Sequence, residues 1–154
     1  MEKSLERVLE QRETLYAIAA QWQRWHQQRF LQLLSNVSHL TDHAHLIDIS
    51  DKNLRENTVE LLQRTSYREG MEEGRDPHRI PVIIEQVRAL WEKHPAFSLG
   101  RLLIETAVEA GWPQEHMWDL EDTPEEERVA YGDRARGISL QSAIVKKMQE
   151  QLSA

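Results

Sequence analysis

Residues 75–106 read RDPHRIPVIIEQVRALWEKHPAFSLGRLLIET, and no other stretch specifies its structure at so many levels. Asp76 is a good N-cap, and Pro77 suits a first helical turn, where its missing N–H is not needed. Apolar residues then recur at Ile80, Ile83, Ile84, Val87, Leu90 and Trp91, one stripe along a helix. His94-Pro95 ends it, because the residue before a proline is pushed out of the α region. Ser98 is placed to cap a second helix through Leu99, Leu102, Leu103, Thr106 and Ala110, and Gly111 supplies a left-handed residue at its end. The stretch predicts a helical hairpin at about 77–94 and 99–110.

Working back towards the N-terminus, the segment Glu69–Arg75 carries two glycines and three acids and is the best internal boundary, a sub-boundary at 69–75 within one domain spanning 1–154. Before it, Ser50 or Asp51 caps a helix over about 52–69 with Leu54, Thr58, Leu61, Leu62 and Thr65 on one face. From Glu2 to about Leu34 there is neither Gly nor Pro, and Leu5, Val8, Leu9, Leu15, Tyr16, Ala19, Trp22, Phe30, Leu33 and Leu34 keep helical spacing. Trp25 lies beside Trp22 and broadens the apolar face. One helix of that length spans roughly 50 Å, more than the following helix can cover. The expected cover is the same helix of a second copy in a homodimer, with Trp22, Phe30 and Leu33 nearest the contact, or else the C-terminal helix of the same chain.

Towards the C-terminus, Thr123, Pro124 and Glu126 form a capping-box start for a short helix to about Tyr131. Ser139 can cap a last helix bearing Leu140, Ile144, Met148 and Leu152. No internal repeat or low-complexity segment is visible. The class expected is all-α, a helical bundle of five or six helices with a long N-terminal helix and the hairpin at its centre.

The run R-D-P-x-R-I, an apolar-periodic segment, W-x-x-x-P and L-G-x-L-L, formed by Arg75, Asp76, Pro77, Arg79, Ile80, Trp91, Pro95, Leu99, Gly100, Leu102 and Leu103, resembles short bacterial and phage proteins of the YihD type. The resemblance covers about residues 75–130. It implies a small helical domain and brings no established catalytic residues with it.

Composition bounds the partners. The chain has 154 residues, 40% hydrophobic and 29% charged, with a formal charge of −7. That charge weighs against duplex nucleic acid, whose binding relies on clustered Lys and Arg. Arg134, Arg136, Lys146 and Lys147 form the one cationic cluster, and the reading favoured for it is a solvated helix end. With no cysteine, a disulfide framework, a thiol nucleophile and a thiolate metal site are excluded. No apolar run reaches the ~18 residues of a membrane span, so a cytoplasmic location without a membrane partner is expected.

Chemistry-bearing clusters are few. His39, His43 and His45, with Asp42 and Asp48 nearby, have metal-ligand types, and His39 and His43 would share a helix face one turn apart. They support an alternative reading as a metal-dependent hydrolase. The competing one is capping or solvated histidines in a polar turn. Arg88 and His94 have an R-x5-H spacing similar to that of all-α ribonucleases of the HEPN class, a spacing that arises readily by chance; His94 reads as a helix-terminal residue. Arg75, Asp76 and Arg79 read as a capped helix start with arginines paired to acids, and Trp91, Phe97, Trp112 and Trp118 as core and hairpin closure. Neither a nucleophile elbow nor a phosphate-cradling glycine loop is present. No cofactor is implied. The function expected is a protein–protein interaction or assembly module.

Overall fold

The structure is a computed structural model and describes residues 5–26, 28–38, 43–64, 78–123 and 138–153. Among them are seven α-helices, one 3₁₀ segment and no strand: α1 Leu5–Arg24, α2 Phe30–Ser38, α3 His43–Asp48, α4 Asp51–Arg64, α5 Arg79–Glu92, α6 Leu99–Ala110, the 3₁₀ segment Gln114–Asp119 and α7 Leu140–Ser153. The all-α bundle is as expected.

Several local signals act as read. Ser98 caps α6, its Oγ accepting from Arg101 N at 3.3 Å, and Gly111 ends the helix at φ 109°. Ser50 Oγ accepts from Asn53 N at 3.1 Å to open α4. Ser139 and Ser142 exchange hydroxyl bonds with each other's amides and open α7. The expected cap at Asp76–Pro77 and the short helix after Thr123 lie outside the described residues; α5 starts at Arg79 after His78, which makes no side-chain cap bond.

The N-terminal helix is shorter than its periodicity predicts. It stops at Arg24, the chain turns, and α2 starts at Phe30, so α1 is 20 residues, about 30 Å long. No glycine or proline makes this break. It is imposed from elsewhere in the chain: Arg79 Nη2 donates to His26 O at 2.7 Å and Gln28 O at 3.0 Å, Trp22 Nε1 donates to Gln28 O at 2.9 Å, and Asp122 Oδ1 accepts from Phe30 N at 2.8 Å. Those bonds take up loop carbonyls and supply the first donor of a new helix, the groups that a continuous helix would have paired internally.

α1 packs on α4, as expected, and also on α5; α2 packs on α4 and the 3₁₀ segment, and α3 on α6. α7 packs on α5 and α6, so the C-terminal helix mainly covers the expected hairpin. One contiguous core runs through these contacts, with Trp22, Phe30, Trp91 and Ile83 fully enclosed. Truncating a large side chain of this kind typically costs about 3–5 kcal/mol.

The chain also repeats its own plan, contrary to the expectation of no internal repeat. Trp91 lies 69 positions after Trp22 (91 − 22), and Leu99, which opens α6, lies 69 after Phe30, which opens α2. The buried positions Gln11, Thr14, Ile18, Gln21 and Trp22 of α1 match, at that same offset, the buried Ile80, Ile83, Val87, Leu90 and Trp91 of α5. Leu46 and Asp51 correspond in the same way to Met117 and Asp122, 71 positions on, all four buried. Packing follows suit, with α1–α4 answering to α5–α7, α2–α4 to α6–α7 and α3–α6 to α2–3₁₀.

Candidate functional site

The histidine cluster falls largely outside what the structure describes. His39 is not among the described residues, and of His43 and His45 only the backbone, in α3, is described. Among the described residues no group of three or more His, Cys, Asp or Glu is placed to hold a metal ion.

The three expected interface residues are corrected. Trp22, Phe30 and Leu33 are each 0% exposed within the single chain, so they offer no surface to a second copy. Trp22 and Phe30 meet edge to face with ring centroids 4.8 Å apart, an arrangement of core aromatics. The break after Arg24 folds α2 back, so that side chains expected along one extended helix enclose one another.

Two clasps surround the helix breaks, one of them fully buried. In one, Arg79 Nε lies 3.1 Å from Asp122 Oδ2, the guanidinium sits 5.2 Å from the Trp22 ring, and Asp122 caps α2. In the other, Arg7 Nη2 lies 2.8 Å from Asp51 Oδ2, its guanidinium sits 5.3 Å from the Trp91 ring, and Asp51 Oδ1 accepts from Leu99 N at 2.8 Å to cap α6. Arg7 further donates to Pro95 O at 2.7 Å and Phe97 O at 2.9 Å, while Trp91 Nε1 donates to Phe97 O at 2.8 Å. Burial pushes the Asp51 carboxyl above the ordinary carboxylate range, against the opposing pull of the Leu99 amide and Arg7. Both clasps are saturated with protein partners, so they hold structure and leave no atom placed for chemistry.

The remaining candidates resolve as structure. Arg88 pairs with Glu85 and Glu92 on its own helix, and His94 stacks on Phe97 with centroids 5.6 Å apart, so the two do not converge. Arg79 is paired to an acid, as read, whereas Arg75 and Asp76 lie outside the described residues. Of the aromatic group, Trp91 and Trp112 are buried and Phe97 is half-buried. Lys147 pairs with Glu109 at 2.7 Å, and Arg134 and Arg136 lie outside the described residues. A shallow groove between α5 and α7, lined by Ala89, Ile144, Val145 and Met148 with Gln86 and Gln149, contains no titratable group. Among the described residues no helix is long and apolar enough to cross a membrane.

What stands out on the surface is α1. Leu5 is 72% exposed, Leu9 48% and Tyr16 70%. At 100° per residue these three fall within about 40° of one another, on the side opposite the buried Ile18. By spacing alone they belong with Leu15 and Trp22 to one broad apolar face, and the structure separates two faces. Their spacing of four and then seven residues, with Arg12 between them, is that of a short coiled-coil seam. At two of the three corresponding positions the second half is polar, His78 just before α5 answering to Leu9 and Glu85 to Tyr16, while the counterpart of Leu5 lies outside the described residues and α5 exposes Val82 instead.

No protein-family model matches the chain, and neither a curated protein nor a solved structure matches it significantly.

Proposed function

We propose that this protein is an assembly module that pairs with a second copy of itself through the outer face of α1. The observation that carries this is the exposed Leu5–Leu9–Tyr16 stripe on α1, two of whose three positions are polar in the second half. Exposed apolar groups aligned on one face mark interaction surfaces, whereas singly scattered ones do not.

The stripe is self-complementary when two α1 helices run antiparallel. With the two-fold axis between Arg12 and Glu13, Leu9 of one copy meets Tyr16 of the other, Leu5 meets the exposed Ala20, and Arg12 meets Glu13, each contact occurring twice. The seam from Leu5 to Tyr16 is about 16 Å long, at the small end of specific interfaces, so the association is weak and reversible.

A charge exchange tests the register. Arg12→Glu places two acids opposite one another and weakens the dimer in sedimentation velocity, and Arg12→Glu with Glu13→Arg restores it. A double variant no more associated than the single one refutes the antiparallel pairing.

A further inference from the structure

We infer that the chain is a tandem of one pairing unit, residues 5–64 and 79–153, and that the surface joining its halves is a homotypic docking surface: each half grips the other as a subunit grips its twin. This rests on the clasps and is independent of the α1 seam.

The clasps are crossed. Arg7 and Asp51 both belong to the first half, yet they hold the 95–97 loop and cap α6, which belong to the second. Arg79 and Asp122 both belong to the second half, yet they hold the 26–28 loop and cap α2, which belong to the first. Each half thus supplies one arginine, one acid, one tryptophan and one helix start, and receives the complementary set. Reciprocal contacts of this kind define an isologous two-fold interface, in which what residue i does to j is returned by the twin. Equivalent elements also meet each other across the junction, α1 against α5 and α3 against the 3₁₀ segment, as elements beside a two-fold axis do. The second unit differs by a longer passage from Asp122 to α7, where the first has Asp51 opening α4 directly. The two units share the buried helix register, the crossed caps and the arginine–tryptophan stacking, with the arginines themselves 72 positions apart and so three positions out of the 69-residue register, which is the mark of one joining surface used twice.

The test cuts the intact folded chain. A specific protease site is inserted between residues 64 and 78 in the Tyr16→Glu background, so that the α1 seam does not contribute, and the folded protein is cleaved. The halves are expected to stay together as one species of about 18.1 kDa with unchanged helicity at micromolar concentration. The thermal midpoint of the cut chain becomes concentration-dependent while that of the uncut chain does not. Asp51→Ala and Asp122→Ala each weaken re-association of the cut halves tenfold or more. Halves that separate or unfold on cutting overturn the proposal, as does a large effect of one aspartate without the other. Where a cut variant does not fold, hydrogen exchange in the uncut chain decides: Asp51→Ala deprotects the Leu99 amide and spares Phe30, Asp122→Ala does the reverse, and uncrossed effects overturn the inference.

Discussion

Arg79, which opens α5, and Asp122, in the bend after the 3₁₀ segment, meet at 3.1 Å with side chains 5% and 1% exposed. Removing one partner of such a pair leaves the other buried without compensation, which typically costs about 3–5 kcal/mol, whereas an exposed pair contributes about 0–1 kcal/mol. Asp122→Ala is expected to fall in the first range, and Arg101→Ala, which breaks the exposed Arg101–Glu105 pair, in the second. Urea unfolding midpoints of the two variants check the ranking.

Asp51 separates capping from charge. Asp51→Ala removes the acceptor of the Leu99 amide and is expected to cost about 1–3 kcal/mol, while Asp51→Asn retains an acceptor oxygen and costs less. Burial raises the Asp51 carboxyl above its ordinary 3.8, so the folded state holds that proton more tightly than the unfolded chain. The part of the Asp51 contribution that depends on this proton is therefore fully present below pH 3.8 and is lost as the pH rises through the raised folded value. The difference in unfolding free energy between wild type and Asp51→Asn should fall across that window. A difference that grows with pH contradicts the assignment.

Gln21 is fully buried, and neither its amide nitrogen nor its amide oxygen has a partner among the described residues. Its counterpart in the second half is Leu90, also fully buried. Leaving a buried polar group unsatisfied costs about 1–3 kcal/mol, so Gln21→Leu should raise stability by an amount of that order and increase the thermal midpoint. A lowered midpoint would mean that the two positions are not equivalent.

Gly100 marks the closest approach of α6 to α3: a Cβ there would lie 2.1 Å from Leu46 O, a backbone atom that cannot swing aside. Gly100→Ala should destabilise by about 1–3 kcal/mol through overpacking, in contrast to the usual gain on replacing a helical glycine. A neutral result in chemical denaturation would contradict this packing.

Local chemistry was legible in the sequence, and long-range chemistry was not. Ser50, Ser98, Gly111 and Ser139 act within a few residues of themselves, so their roles follow from spacing alone. The break after Arg24 depends on Arg79 and Asp122, far along the chain, and leaves no glycine or proline as a trace. The repeat did leave a trace, W-x7-[FL]-x2-L-L followed by D-[IL]-x-D, formed first by Trp22, Phe30, Leu33, Leu34, Asp48 and Asp51 and again by Trp91, Leu99, Leu102, Leu103, Asp119 and Asp122. Outside those positions the halves share little, because only the clasp and the core constrain them. The α1 seam was hidden for a different reason: Leu9 and Leu15 are both apolar at helical spacing, and only the placement of α4 and α5 decides which is covered.

Sedimentation equilibrium of the full chain across micromolar concentrations, wild type beside Tyr16→Glu, tests the proposed assembly most directly. Wild type should rise with concentration towards twice the 18.1 kDa chain mass, and Tyr16→Glu should stay at that mass with undiminished helicity, since Tyr16 contributes nothing to the core. A wild type that remains at the mass of one chain throughout would contradict the account.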